Sequence, residues 1–234
     1  MRYAEVARGI RQAYDAYDFQ SVFHALNEYM TVDLSAFYLD VSKDRLYTFA
    51  ADSPERRSAQ TAMYVIADGL TRLVAPILSM TADEIWAHLP GSREASVHLA
   101  VFPSGTDAWL DDELAGRWGR LLEVRGAVNA VLEDARQQKT IGTALQARVS
   151  IAASGELGAL VERHAADLPM LFMTSAVRVE QRASGDLTVA VARADGEKCP
   201  RCWRYVTDTV AEGELAGLCG RCVSAVGGVV APAR

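Results

Sequence analysis

The sequence has no run of ~18 uncharged apolar residues, so no helix of it can span a bilayer. Its first residues, Met1-Arg-Tyr-Ala-Glu-Val6, lack the apolar centre of a signal peptide. They open directly into a helical pattern, as expected of a piece of a longer chain. Without an export signal the thiols stay reduced, which favours metal binding over disulfides and implies a cytoplasmic protein. Lysine is scarce: Lys43, Lys139 and Lys198 stand beside 21 arginines, and the net charge is −6. An acidic balance argues against indiscriminate binding to nucleic acid, which needs a basic surplus to displace counterions, but it is compatible with a local basic patch. The arginines supply planar forks for phosphates or bases. Histidines occur singly, at 24, 88, 98 and 164, and no cysteine precedes residue 199. There is no internal repeat and no low-complexity segment.

What remains is globular: half of the 234 residues are hydrophobic and 23% are charged, enough for two or three domains with real cores. The first hundred residues read as helices. Tyr3 to Tyr17 is amphipathic. Asp18 caps a second helix whose Val22, Phe23, Leu26, Tyr29, Met30 and Val32 crowd one side. A polar break follows from Asp40 to Leu46. Ser53-Pro54 opens a third helix with a capping hydroxyl and Pro at its first position, and Ala59, Ala62, Ile66, Leu70, Leu73 and Ile77 recur by threes and fours. Pro76 ends or kinks it, and Thr81-Ala-Asp-Glu84 reads as a capping box for a fourth. Short links make an antiparallel bundle the economical fold.

A long helix is expected from about Asp111 to Gln138, its stripe formed by Leu114, Trp118, Leu121, Val124, Val128 and Val131. The acidic Asp111-Asp112-Glu113 suits the helix dipole at its start. After Gly142 the pattern alternates as in strands, in Ala147 to Ala152, Val177 to Glu180 and Leu187 to Ala192, with a helix over 156–166. The fold class is therefore mainly α: a helical bundle, then a small mixed α/β unit and a terminal four-cysteine ribbon. The divisions are 1–108 for the bundle, 109–141 for the long linking helix, 142–195 for the α/β unit, 196–226 for the ribbon and 227–234 for a flexible tail.

The ribbon carries the sharpest signal. Cys199-Pro-Arg-Cys202 and Cys219-Gly-Arg-Cys222 are separated by sixteen residues. Each C-x2-C turn sets two thiolates on one side of a knuckle, and two knuckles complete a tetrahedron of sulfurs ~2.3 Å from one zinc ion. Four sulfurs leave no site for water, so such a zinc is structural, and it supplies most of the folding energy of a segment with few apolar residues. Two disulfides, four unrelated thiols or an iron–sulfur cluster are the alternatives; the paired spacing favours zinc. Trp203, flanked by Arg201 and Arg204, packs on the ribbon or offers its face to a base while the arginines hold phosphates.

Three stretches resemble the C-terminal region of bacterial isoleucyl-tRNA synthetases, class I aminoacyl-tRNA synthetases. Phe37-Tyr-Leu-Asp-Val-Ser-Lys-Asp-Arg-Leu-Tyr47 looks like a turn of that family's anticodon-binding bundle. Arg56-Arg-Ser-Ala-Gln-Thr61 and Ala75-Pro-Ile-Leu-Ser-Met-Thr-Ala-Asp-Glu-Ile-Trp86 look like its next two helices. Glu197-Lys-Cys-Pro-Arg-Cys-Trp203 with Leu218-Cys-Gly-Arg-Cys222 looks like its terminal zinc finger, and Lys139-Thr-Ile-Gly142 like its junction. Valyl- and leucyl-tRNA synthetases share the bundle, but the ribbon and the Lys-Asp-Arg-Leu-Tyr wording favour the isoleucyl enzyme. The resemblance implies that this chain grips the anticodon arm of isoleucine tRNA, while aminoacylation proceeds in a Rossmann-type domain elsewhere in the full-length protein. The ATP-binding signatures His-Ile-Gly-His and Lys-Met-Ser-Lys-Ser are not in this sequence, so ATP is expected only in the full-length enzyme and no catalytic residue is assigned here.

Candidate RNA contacts are Lys43 and Arg45 in the polar break, where Asp44 can pair with either. Arg56 and Arg57 join them, placed in a first helical turn where the dipole disfavours cations. Arg201, Trp203 and Arg204 complete the set. Asn27, Gln60 and Asn129 are indistinguishable from surface amides, and Trp86, Trp109 and Trp118 read as core. The expected partners are isoleucine tRNA and the rest of the synthetase, with no membrane and no DNA, and the chain is expected to be a monomer. A zinc-ribbon DNA-binding module of the repair glycosylase type is the runner-up, weakened by Met-Arg-Tyr where those enzymes begin with Pro-Glu; a free-standing RNA-binding protein is a third reading.

Overall fold

In a computed structural model that describes residues 1–227, the apolar periodicity of the first hundred residues becomes one helical core. Helix α1 (Arg2–Asp15) buries Tyr3, Val6, Ala7 and Ile10. Helix α2 (Phe19–Glu28) starts at Asp18, whose carboxylate accepts the Ser21 N–H at 3.0 Å, as the capping reading required. Val22 and Leu26 of α2 join Tyr29 in that core, whereas Phe23, Met30 and Val32 are exposed, so the crowded apolar side is only half used.

The expected polar break is absent. Tyr29–Tyr38 is π-helical and leads straight into α3 (Leu39–Thr48), which contains Lys43, Asp44 and Arg45. Polar residues there do not end the helix because Asp44 is satisfied by side chains: Thr48 Oγ1 donates to it at 2.7 Å, and arginines far along the chain supply the rest. Helix α4 (Pro54–Val74) starts as read, with Ser53 Oγ accepting the Arg56 N–H at 3.2 Å. Its Leu73 and Val74 are buried; Ile77 lies beyond its end and is exposed. Helix α5 (Ser79–His88) begins two residues before the expected capping box, and its N-cap is Leu78. Asp83 is turned to other work, accepting Ser96 Oγ at 2.6 Å and the Val97 N–H at 3.0 Å.

Trp86 is 1% exposed. Its indole N–H donates to the Glu94 carbonyl at 2.9 Å, and the Arg93 guanidinium sits 4.5 Å from the ring centroid while pairing with Asp68 at 3.3 Å. Tyr14 reaches the same core and donates to the Leu73 carbonyl at 2.8 Å. Burial pushes both Tyr3 and Tyr14 up to about 12. Helices α1, α2 and α5, the π-helical stretch and α4 from Arg57 onward form one compact unit, Met1–Asp40 with Arg57–Asp112, which leaves out most of α3.

The second unit comprises Val41–Arg56 and the described part of Glu113–Arg234. The long helix α6 (Asp112–Gln137) agrees closely with the sequence reading. It buries Leu121, Val124, Val128, Leu132 and Ala135; Trp118, at the edge of that face, is 37% exposed. Trp109, in the first unit, is also exposed, so of the three tryptophans read as core only Trp86 is deeply buried.

Strand β1 (Ala147–Ser154) lies between β2 (Ala176–Arg182), to which it is parallel, and β3 (Thr188–Arg193), to which it is antiparallel. The parallel pair needs a crossover, supplied by α7 (Gly155–Arg163) and the short α8 (Leu168–Leu171). Register sets Val149 beside Val177 and Val191, and Ile151 beside Val179 and Val189, forming one apolar face. A two-stranded hairpin follows, β4 (Glu197–Lys198) with β5 (Tyr205–Val206), and then α9 (Gly220–Gly227). Gly227 thus closes a helix, and the rest of the expected tail, 228–234, lies outside the described residues.

Candidate metal centre and nucleic-acid interface

Hairpin geometry builds the first knuckle. Pairing of Lys198 with Tyr205 brings the chain back on itself, so the Cys199 N–H donates to the Arg204 carbonyl at 2.9 Å and the Cys199 carbonyl accepts the Trp203 N–H at 2.9 Å. Closing so tight a turn forces Trp203 to φ +65°, the left-handed region that glycine normally occupies. The second knuckle opens α9, and a bridge between Thr209 and Cys219 aligns it with the first.

The four cysteines are buried, and their sulfurs lie within 4.8 Å of one another. Cys202 Sγ and Cys219 Sγ are 3.8 Å apart, too far for a disulfide. A regular tetrahedron with metal–sulfur bonds of ~2.3 Å has an edge of about 3.8 Å, so the spacing fits a four-sulfur zinc site. The Cys219 N–H points at Cys199 Sγ at 3.5 Å. Burial opposes ionisation of Cys199, but N–H groups of Cys202, Cys219 and Arg201 outweigh it and bring that thiol down to about 6. At Cys222 burial prevails and pushes the thiol up to about 12. One thiol is thus poised as a thiolate, while others need a bound cation to lose their protons. Among the described residues, only Val206 and Leu218 pack as partly buried apolar residues on the cysteine cluster, too little for a core.

Six of the seven basic and aromatic residues singled out from the sequence belong to the same compact unit as the cysteines; Arg57, exposed near the start of α4, belongs to the other. Trp203 is 58% exposed, with Lys198 Nζ 5.2 Å from its ring centroid. Lys43 is exposed. Arg45 pairs with Asp167 at 3.3 Å, and Arg56 donates to the Phe49 carbonyl at 3.2 Å. Arg201 donates to the Thr48 carbonyl and approaches Cys222 Sγ at 3.6 Å.

Asp44 does not pair with its neighbours Lys43 and Arg45 as expected. It accepts Arg204 Nη2 at 2.9 Å and both terminal nitrogens of Arg221, Nη1 and Nη2, at 2.6 and 2.8 Å. Burial works against its charge, but these guanidiniums and Thr48 hold its carboxyl below the usual carboxylate range. Arg221 also lies 4.8 Å from the Phe49 ring centroid. Asp44, Phe49 and Arg221 were not found by sequence reasoning. The partners of Asp44 are 160 and 177 residues away, and the only available hint was an arginine lodged between two metal-binding cysteines.

Residues 1–151 match the anticodon-binding domain of tRNA ligases. The chain belongs to that family. Residues 196–225 match a zinc finger found in FPG and IleRS, so the metal taken by this sulfur cluster is a structural zinc. The family's known members include isoleucine–tRNA ligases. That of Geobacter sulfurreducens is 43% identical over 226 residues, covering 93% of this chain and 24% of the relative. Those of Cronobacter sakazakii and Symbiobacterium thermophilum are 45% and 46% identical, covering 94% and 96% of this chain and 25% and 26% of theirs. The chain therefore spans about a quarter of the length of these relatives.

Proposed function

We propose that this chain is the tRNA-binding C-terminal part of an isoleucine–tRNA ligase. It grips the anticodon arm of isoleucine tRNA for ATP-dependent aminoacylation performed elsewhere in the full-length protein, where ATP binds. The observation that carries this reading is identity of 43–46% along nearly the whole chain to isoleucine–tRNA ligases, with the anticodon-binding domain and the finger both matched. The fold supports it: a helical unit of the anticodon-binding type, read as an antiparallel bundle, is followed by a small α/β unit and a zinc ribbon. The functional division runs 1–108, 109–141, 142–195, 196–226 and 227–234.

Cys199, Cys202, Cys219 and Cys222 are the zinc ligands. Lys43, Arg45, Arg56, Arg57, Arg201, Trp203 and Arg204 face the RNA. Arg204 reaches Asp44 through one nitrogen, and a guanidinium has five N–H donors, so others remain for a phosphate. Trp203, strained and exposed beside Lys198, suits stacking on an unpaired base. Among the described residues no helix is long and apolar enough to cross a membrane. The protein acts in the cytoplasm, as a monomer, on RNA and not on DNA or membranes. A repair-glycosylase reading is not favoured, because residues 1–151 of the 234 match a tRNA-ligase domain.

Nuclease footprinting of isoleucine tRNA with the purified chain tests the proposal. Protection of the anticodon arm with an open acceptor stem is expected. Protection confined to the acceptor stem would overturn it.

A further inference from the structure

We propose that Asp44 is a positioning residue that couples zinc binding to the conformation of the segment 41–56. For its consequence in RNA binding this rests on the function proposed above, since Lys43, Arg45 and Arg56 lie in that segment.

The carboxylate of Asp44 has all four of its near positions filled. Oδ2 receives Arg204 at 2.9 Å and Arg221 at 2.6 Å; Oδ1 receives Arg221 at 2.8 Å and Thr48 Oγ1 at 2.7 Å. The two arginines come from the two different knuckles of the sulfur cluster. Arg204 lies two residues beyond Cys202, and Arg221 lies between Cys219 and Cys222. Their guanidiniums repel one another, and the ribbon has almost no apolar core to hold them together. A zinc ion joining the two knuckles would keep both cations at one carboxylate. Two further contacts reach the same stretch of α3 and its exit: Arg201 donates to the Thr48 carbonyl, and Arg221 lies over Phe49. The ribbon therefore grips residues 44–49 by charge and hydrogen bonding, and Asp44 is the shared acceptor. It touches no RNA itself, because a carboxylate repels phosphate.

The coupling is measured by amide hydrogen exchange and tRNA titration on the whole chain, zinc-loaded or chelated, with and without Asp44→Asn. In the parent, chelation raises exchange across 41–49 and weakens tRNA binding on the order of tenfold or more, the scale of losing charge-assisted hydrogen bonds. Asp44→Asn, with zinc still stoichiometric by elemental analysis and α1 exchange unchanged, shows the raised exchange and the weakened binding already. Chelation then adds little to the exchange across 41–49, although it still weakens binding through the ribbon's own Arg201, Trp203 and Arg204. Parent-like exchange across 41–49 in zinc-loaded Asp44→Asn, or a chelation effect on that exchange of undiminished size in the variant, overturns the coupling. Should Asp44→Asn lose its zinc, Arg221→Lys, which keeps the charge and loses the fork, carries the same comparison. Failure of the parent to bind tRNA defeats the proposed function, while exchange at 41–49 still decides the role of Asp44.

Discussion

Gly196 and Gly213 separate two costs that are usually confounded. Both lie in the ribbon at positive φ, +85° and +90°, so an alanine at either pays for left-handed backbone, ~1–2 kcal/mol. Their surroundings differ. A Cβ at Gly196 would overlap the Val206 carbonyl oxygen and lie 2.7 Å from Thr207 N, whereas nothing lies within 4 Å of one at Gly213. The obstructing atoms are backbone of the hairpin that carries the first knuckle, so they cannot rotate away. Forced overpacking adds ~1–3 kcal/mol at Gly196 alone. Folding of a small metal domain and metal binding are one equilibrium, so both penalties appear in the apparent zinc affinity. Competition against a chelator should show Gly213→Ala weakened ~5- to 30-fold, with Gly196→Ala weaker by a further ~5- to 150-fold. Equal shifts in the two variants would refute the claim that hairpin closure holds the knuckle.

Cys202→Ser should release zinc and unfold the ribbon while leaving the helical unit intact; stoichiometric zinc in that variant by elemental analysis counts against a four-thiolate shell. Trp86→Ala should destabilise its unit by ~3–5 kcal/mol in urea titration, because it empties a large site and orphans the Glu94 carbonyl. Tyr3 and Tyr14 are held protonated by burial, with values pushed up to about 12. Their contribution is fully present below the ordinary tyrosine range near 10 and is lost as pH rises through about 12. Phenolate absorbance and helical circular dichroism should therefore change together at the alkaline end, and a helical unit that melts well below pH 10 would contradict that linkage.

Features set by local spacing were legible in the sequence. The paired C-x2-C turns, the Asp18 cap, the Ser53-Pro54 helix start, the extent of α6 and the three alternating strands each depend on residues within a few positions of one another. Features settled by distant partners were not. Polar Lys43-Asp44-Arg45 looked like a break, because the arginines that satisfy Asp44 lie in the ribbon. Thr81-Ala-Asp-Glu84 had the wording of a capping box, but the helix starts earlier, after Leu78, so Thr81 and Glu84 lie inside it. Trp118 fitted the stripe of α6 by type, but at 3.6 residues per turn it falls at the edge of the face that buries Leu121, Val124 and Val128. The ribbon's arginines illustrate the limit best: Arg201 and Arg204 read as phosphate contacts beside Trp203, and only the fold shows that they and Arg221 also fasten the ribbon to residues 44–49.

The most direct test is a titration of the zinc-loaded chain with isoleucine tRNA beside a non-cognate tRNA, repeated at two salt concentrations. Saturable binding that favours isoleucine tRNA and weakens as salt rises is the expected result. Equal affinity for the two tRNAs, or none for either, would contradict assignment of this zinc-stiffened helical chain to anticodon recognition.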